Sequence, residues 1–176
     1  MFIGSTPGTF TYAGAVSVNS NTLDTSSFGV LLYYGRPSFA HPTISGVAFD
    51  GSAHNWSVAG NGSTAAFTAS VNSPNGTLSL SSPADGATVP RSSAFNLSWT
   101  GSGSDSVYVY VGAGSHHLYK VVTGSSASFT AAEMGALPAG SAWVIIQRMK
   151  FTIKNANGGQ YIVSASTQAE ATVTLN

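Results

Sequence analysis

Between residues 95 and 111 the chain alternates apolar and polar side chains with a period of two, and does so twice. Phe95, Leu97 and Trp99 fall on one side of an extended chain, with Asn96, Ser98 and Thr100 on the other. After the Gly/Ser turn 101–105, Val107, Val109 and Val111 oppose Tyr108 and Tyr110. Successive side chains of a strand point to opposite faces, whereas a helix would scatter these residues around its axis. The two runs therefore read as half-buried strands joined by a turn. Upstream, Leu78-Ser79-Leu80 alternates and stops at Ser82-Pro83, and Asp85-Gly86 then turns the chain, because Gly accepts positive φ and Asp bonds nearby backbone.

The same grammar extends to both ends. Residues 8–18 read as a strand in which Gly14 marks a bulge, and 19–27 as a polar loop. The apolar run within 28–34 suits a strand buried on both faces. Arg36-Pro37 and His41-Pro42 punctuate a loop. Strands are expected at 44–49, 53–59 and 64–71, with Asp50-Gly51 and Asn61-Gly62 as hairpin turns between them. That spacing fits a sandwich or a barrel. Further strands are expected at 117–123, 126–130, 142–153, 160–165 and 168–175. The one helical piece is 131–137, where Thr130 and Glu133 have the spacing of a capping box. The fold class that follows is all-β with antiparallel sheets, divided into 1–77, short of a strand or two as a module, and 78–176.

Composition narrows the function classes. Only 7% of the 176 residues are charged, against a usual value of about 25%. With 43% hydrophobic residues, the chain has the reverse of a disordered composition. A formal net charge of zero at pH 7 favours association. It also argues against nucleic acid as a partner, since that needs a basic face to displace counterions. The absence of cysteine excludes disulfides, thiolate metal sites and cysteine nucleophiles. Neither a basic leader nor a long apolar run follows Met1, and no window approaches the ~20 apolar residues of a spanning helix. A signal peptide and a membrane span are accordingly not expected.

The stretch from Ser82-Pro83-Ala84-Asp85-Gly86 to Pro90, then Phe95-Asn96-Leu97-Ser98-Trp99, then Val107 to Val111, resembles the opening of an immunoglobulin-like or fibronectin type III-like module. The resemblance covers 78–176 and lacks the antibody-type cysteine pair. It implies a β-sandwich for 78–176, a tryptophan in its core from the second strand, and an extracellular or cell-surface setting in a bacterial secreted protein; with the strand spacing of 1–77, the expectation is two tandem β-sandwich modules. It implies no catalytic residues, because such modules bind, space or assemble.

Candidate sites are few. The four histidines include the adjacent pair His116-His117 at the mouth of a hairpin, whose side chains would point to opposite faces and so not share a metal. His54 lies on one face with Trp56, and no acid is expected to orient its imidazole. Of the six carboxylates, Asp50, Asp85 and Asp105 sit in Gly-containing turns that explain them without chemistry. No catalytic residue, metal or cofactor is expected. Tyr108, Tyr110 and Tyr119 are candidates for ligand binding, because aromatic faces on an exposed sheet offer area to sugar rings or a protein partner. In 142–154, Trp143, Ile145, Gln147, Met149, Phe151 and Ile153 share one face, and Val144, Ile146, Arg148, Lys150 and Lys154 the other. Arg148, Lys150 and Lys154 are half of the six basic residues. They read either as the guard of a solvated edge or as a docking face for an acidic partner. Four Asn-X-Ser/Thr patterns (at Asn55, Asn61, Asn75 and Asn96) are expected by chance in so Asn- and Ser-rich a chain.

The leading expectation is a non-enzymatic extracellular structural protein that assembles with copies of itself into a surface or filamentous array. In that reading a neighbour's strand completes the N-terminal module. The alternative is an adhesin or carbohydrate-binding accessory module of a larger secreted protein, with a glycan or another surface protein as partner.

Overall fold

A computed structural model describes residues 4–6, 9–10, 13–27, 31–34, 46–62, 64–101, 103 and 105–176, with the backbone alone for 4–6, 9–10, 24–27 and 31–34. In chain order the first elements are β1 (Gly4–Thr6), β2 (Thr9–Phe10), β3 (Val16–Val18), β4 (Asn21–Thr22), β5 (Asp24–Ser27), β6 (Leu31–Tyr34), β7 (Ala53–Val58) and β8 (Phe67–Asn72). Next come β9 (Ser79–Ser82), β10 (Thr88–Val89), β11 (Phe95–Thr100), β12 (Ser106–Ala113), β13 (His116–Thr123), β14 (Ser126–Phe129) and α1 (Ala131–Gly135). Two strands of 17 residues each finish the chain, β15 (Gly140–Ala156) and β16 (Gly159–Leu175). Among the described residues the protein is all-β apart from α1, and every strand pair save β10–β16 with a described register is antiparallel.

The chain divides into two compact units, Met1–Ser73 with Lys150–Ala165, and Pro74–Met149 with Ser166–Asn176. In the first unit β3, β4, β7 and β8 form one sheet in the order β4-β3-β7-β8. Asn19 and Ser20, both left-handed (φ 46° and 65°), make the two-residue turn between β3 and β4. Val16, Val18, Val58, Phe67 and Val71 from this sheet bury their side chains with Ala13, Leu23, Val163 and Ala165. The core of the first unit thus includes residues from the tip of the β15–β16 hairpin. Tyr161 tilts over Phe67 with ring centroids 4.6 Å apart. Gly14, at φ 75°, lies so close to Gly60 that any Cβ would run into the Gly60 carbonyl.

Several expectations for this half differ from the observed backbone. The single strand at 8–18 is two strands with Ala13–Ala15 between them, because Gly14 turns the chain where a bulge was expected. The loop at 19–27 is largely strand, β4 and β5, built from Asn, Asp, Thr and Ser that show no hydrophobic alternation. Of 44–49, the described residues 46–49 form no strand. The 28–34 strand is present as Leu31–Tyr34, while residues 28–30, His41 and Arg36 lie outside the described residues.

The second unit follows its pattern closely. Phe95, Leu97 and Trp99 of β11 point inward, as do Val107, Val109 and Val111 of β12. They meet Phe129, Met134, Leu137, Val144, Ile146, Val173 and Leu175 in one cluster. Two sheets supply it, β14-β11-β9 and β10-β16-β15-β12-β13. β10 runs parallel to β16, pairing Val89 with Leu175. The Trp99 indole Nε1 donates to the Gly124 carbonyl at 3.1 Å, so the one polar atom of this buried ring is satisfied. The capping box is as its spacing predicts: the Glu133 amide donates to Thr130 Oγ1, and the Thr130 amide donates to Glu133 Oε2 at 2.6 Å. The strands expected separately at 160–165 and 168–175 are one, β16.

Candidate functional site

The outer face of the β15-β12-β13 ribbon in the second unit carries most of its exposed aromatic side chains. Register places the face in three rows: Gln147, Tyr108 and Val121; Ile145, Tyr110 and Tyr119; and Trp143, Gly112 and His117. None of these nine residues is an acid, a lysine or an arginine. Tyr119, Val121 and Trp143 are 70%, 50% and 42% exposed, a rare amount for large apolar groups on one small surface.

Gly112 is the pivot. A Cβ there would sit 2.8 Å from Trp143 Cζ2 and 2.9 Å from Tyr110 Cε1. The rings fold over the bare backbone, so a strand-interior glycine is packed by its neighbours' side chains. Tyr110 stacks on Trp143 with centroids 4.8 Å apart and planes 10° from parallel, and on His117 at 5.3 Å and 11°. Because β12 lies between β13 and β15, these two partners flank Tyr110 on opposite sides. A His–Tyr–Trp sandwich results, at centroid spacings typical of stabilising aromatic pairs. Tyr110 holds the other two rings upright, and the faces left for a ligand belong to Trp143, His117 and Tyr119.

Of the sequence candidates, Tyr108, Tyr110 and Tyr119 do share this face. Tyr108 and Tyr110 are half-buried and Tyr119 is exposed. Sequence reasoning missed Trp143, since the β12–β15 pairing joins residues far apart in the chain, and missed His117 because it reads as a residue of the hairpin mouth. The available signal was Gly112 itself, a glycine inside a strand.

The basic candidates do not form one docking face. Arg148 is 1% exposed, in the second unit. Its Nη2 donates to the carbonyls of Asn75 at 2.9 Å and Gly76 at 2.6 Å. Asp105 Oδ2 lies 3.8 Å from its Nε, an ion pair beyond hydrogen-bond length. Arg148 is therefore an internal clamp on the 75–76 turn and cannot meet an external partner. Lys150 is half-buried and Lys154 exposed, both in the first unit.

The histidines are placed differently from one another. His54 is buried, its Nε2–H donating to the Ala48 carbonyl at 2.8 Å and its ring meeting Phe49 edge-on. His116 and His117 are exposed at the β12–β13 turn. Among the described residues, no three of His, Cys, Asp or Glu gather as a metal site would require. No helix of the described residues is long and apolar enough to cross a membrane. Two carboxyls are held below their ordinary range: Asp50 by hydrogen bonds from Ser52, and Glu133 by the Thr130 amide and then Lys120.

No protein-family model matches the chain, and no curated protein or solved structure matches it.

Proposed function

We propose that the protein is a non-catalytic, extracellular or cell-surface binding module, and that the aromatic face of its second unit engages glycan rings. The observation that carries this reading is the pre-stacked Trp143–Tyr110–His117 set with Tyr119 exposed in the neighbouring row. Sugar rings present flat C–H surfaces with a polar rim. Upright aromatic rings held by mutual stacking lose little rotamer entropy on meeting them. The absence of ionic side chains from the face favours neutral saccharides.

The immunoglobulin-like or fibronectin type III-like architecture is supported by strand order. A sheet β14-β11-β9 contributes to one core with a sheet β10-β16-β15-β12-β13, which is the division of strands such modules use. Trp99, in the β11 position, supports it further. By the same logic the first unit is a second sandwich-like module, to which residues 150–165 contribute strands from the same chain. That contribution weakens the case for completion by a neighbour's strand.

A second reading, the self-assembling structural subunit, is favoured by one surface. Phe151, Ile153 and Ile162 in the first unit are 51%, 49% and 59% exposed. Sedimentation velocity over a wide concentration range separates the readings: a persistent monomer eliminates self-assembly.

The test of glycan binding is a screen of neutral oligosaccharides against wild type, Trp143→Ala and Tyr119→Ala. Binding by wild type that falls several-fold to about tenfold in either variant is expected, the size of one lost stacking contact. Negligible wild-type binding throughout, or equal binding by all three proteins, removes the proposal.

A further inference from the structure

The first unit contains a groove of about 850 Å³ bordered by β3, β7, β8 and the 152–154 stretch of β15. Its size lies within the ~300–1,000 Å³ of small-molecule sites. Beside Trp56, Ala69 and Ile153, its lining is rich in hydroxyls and amides. Ser17, Ser57 and Thr68 form one row across the three strands, and Asn55 and Ser70 the next. Four of these five side chains are exposed and Ser17 is half-buried, so their hydroxyls and amide are open to a ligand. At the margin stands exposed Lys154, and no Asp or Glu lines the groove.

From this lining we infer that the groove is a second ligand site, for a short polyhydroxylated ligand carrying a carboxylate, such as a sugar acid. Serine and threonine hydroxyls both donate and accept, and the asparagine amide does the same through two different atoms. A row of them matches the alternating donors and acceptors of vicinal sugar hydroxyls. A lining with a single ammonium and no carboxylate attracts an anion and gives a metal cation nothing to bind. Lysine acts as a point charge and sets no bidentate geometry, so it selects for charge while the hydroxyl rows select for the polyol. Asn19, at the same margin, is already committed: its Oδ1 accepts from the Asn55 amide and its Nδ2 donates to the Gly46 carbonyl. These bonds fix the β3–β4 turn and hold that wall of the groove in place without the ligand.

This inference stands apart from the aromatic-face proposal, because it concerns another unit and a ligand of different charge. Its test uses trigalacturonic acid and, as an uncharged counterpart of the same skeleton, its methyl ester. Affinity is measured by calorimetry at neutral pH, and the contact residues by amide shifts. Wild type should bind the acid about tenfold more tightly than the ester, the size of one charge-assisted contact. Shifts should appear at Ser57, Thr68 and Ser70. Lys154→Gln, an exposed change that leaves the core untouched, should lower the acid to the level of the ester and leave the ester unchanged. Thr68→Val, which keeps a strand-favouring shape and removes a hydroxyl, should weaken both. No binding of either probe, equal affinity for the two, acid binding that survives Lys154→Gln, or shifts confined to Tyr119 and Trp143 would each overturn the inference. The last outcome would leave the aromatic face as the binding site.

Discussion

Replacing Arg148 with methionine isolates what a buried cation does in a chain with so few charges. Arg148 is 1% exposed, and its Nη2 donates to two carbonyls, Asn75 at 2.9 Å and Gly76 at 2.6 Å. Hydrogen bonds from a charged donor contribute about 1.5–3 kcal/mol each. The lower end applies here, since Asn75 is exposed and its carbonyl can turn to water once the donor is gone. Asp105 adds a smaller contribution, because at 3.8 Å the pair makes no direct hydrogen bond between Oδ2 and Nε. Methionine also removes the cost of desolvating a guanidinium, which offsets part of the loss. The net expectation is about 2 kcal/mol, or roughly thirtyfold in the opening equilibrium of the second unit. Hydrogen exchange at the Val109 and Val111 amides of β12 reads that change, with the β7 amides of the first unit showing whether the loss is local. Arg148→Lys should fall between, since its ammonium sits on a shorter stem and lacks the planar guanidinium that aims both Nη2 hydrogens at the two carbonyls. Protection in β12 reduced less than threefold by Arg148→Met would refute the clamp.

Three smaller perturbations test other parts of the fold. The Glu133 carboxyl is held below its ordinary 4.5 by the Thr130 amide and Lys120, so its contribution is fully present above that pH and is lost as pH falls through the depressed value. Amide protection at Thr130 and Glu133, corrected for the intrinsic pH dependence of exchange, should be flat down to about pH 4.5 and fall below it, and Glu133→Gln should abolish the transition. Gly112→Ala should destabilise by about 1 kcal/mol and shift Trp143 emission, because the new methyl displaces the ends of two rings. Gly14→Ala should cost more, on the order of 2 kcal/mol by urea titration, since a left-handed residue then meets the Gly60 carbonyl, which is backbone and cannot swing aside.

Alternation made the second unit legible. Phe95, Leu97 and Trp99 are buried where the pattern puts them, and so are the three valines of β12. The helix at 131–135 was readable from its cap alone. What alternation does not say is which face is wet. In β15 the two faces were sorted correctly, yet both carry large apolar groups near the start, Val144 and Ile146 against Trp143 and Ile145. The basic residues on one of them suggested solvent there. The reverse holds around Arg148, because its partners lie 72 and 73 positions away at Gly76 and Asn75. No local pattern reports such a partner. The same long-range pairing hid the aromatic face, since Trp143 meets Gly112 only through the β12–β15 ladder. In the first unit, strands such as β4 and β5 are made of Asn, Thr, Asp and Ser with no apolar period, and propensity alone reads them as loop.

The scarcity of charge is sharper in the folded protein than in the composition. Arg148 and Arg91 spend their guanidinium groups on backbone carbonyls, Arg91 donating to Leu137 at 2.7 Å. Lys120 donates to the Ser128 carbonyl and pairs with Glu133. Asp85 accepts from the Thr172 amide and Asp50 from the Ser52 amide, each pinning a turn. A neutral glycan carries no net charge for these groups to steer, so its binding at the Trp143 face should be nearly indifferent to ionic strength. Lys154 is the contrast: exposed, at the margin of a groove without acids, its effect on an anion should fade as salt shortens the Debye length from about 10 Å at 0.1 M to about 3 Å at 1 M. One salt titration on wild type with a neutral and an acidic saccharide therefore separates the two sites by physics alone. A neutral ligand lost at high salt, or an acidic one retained undiminished, would contradict the division of labour drawn from these side chains.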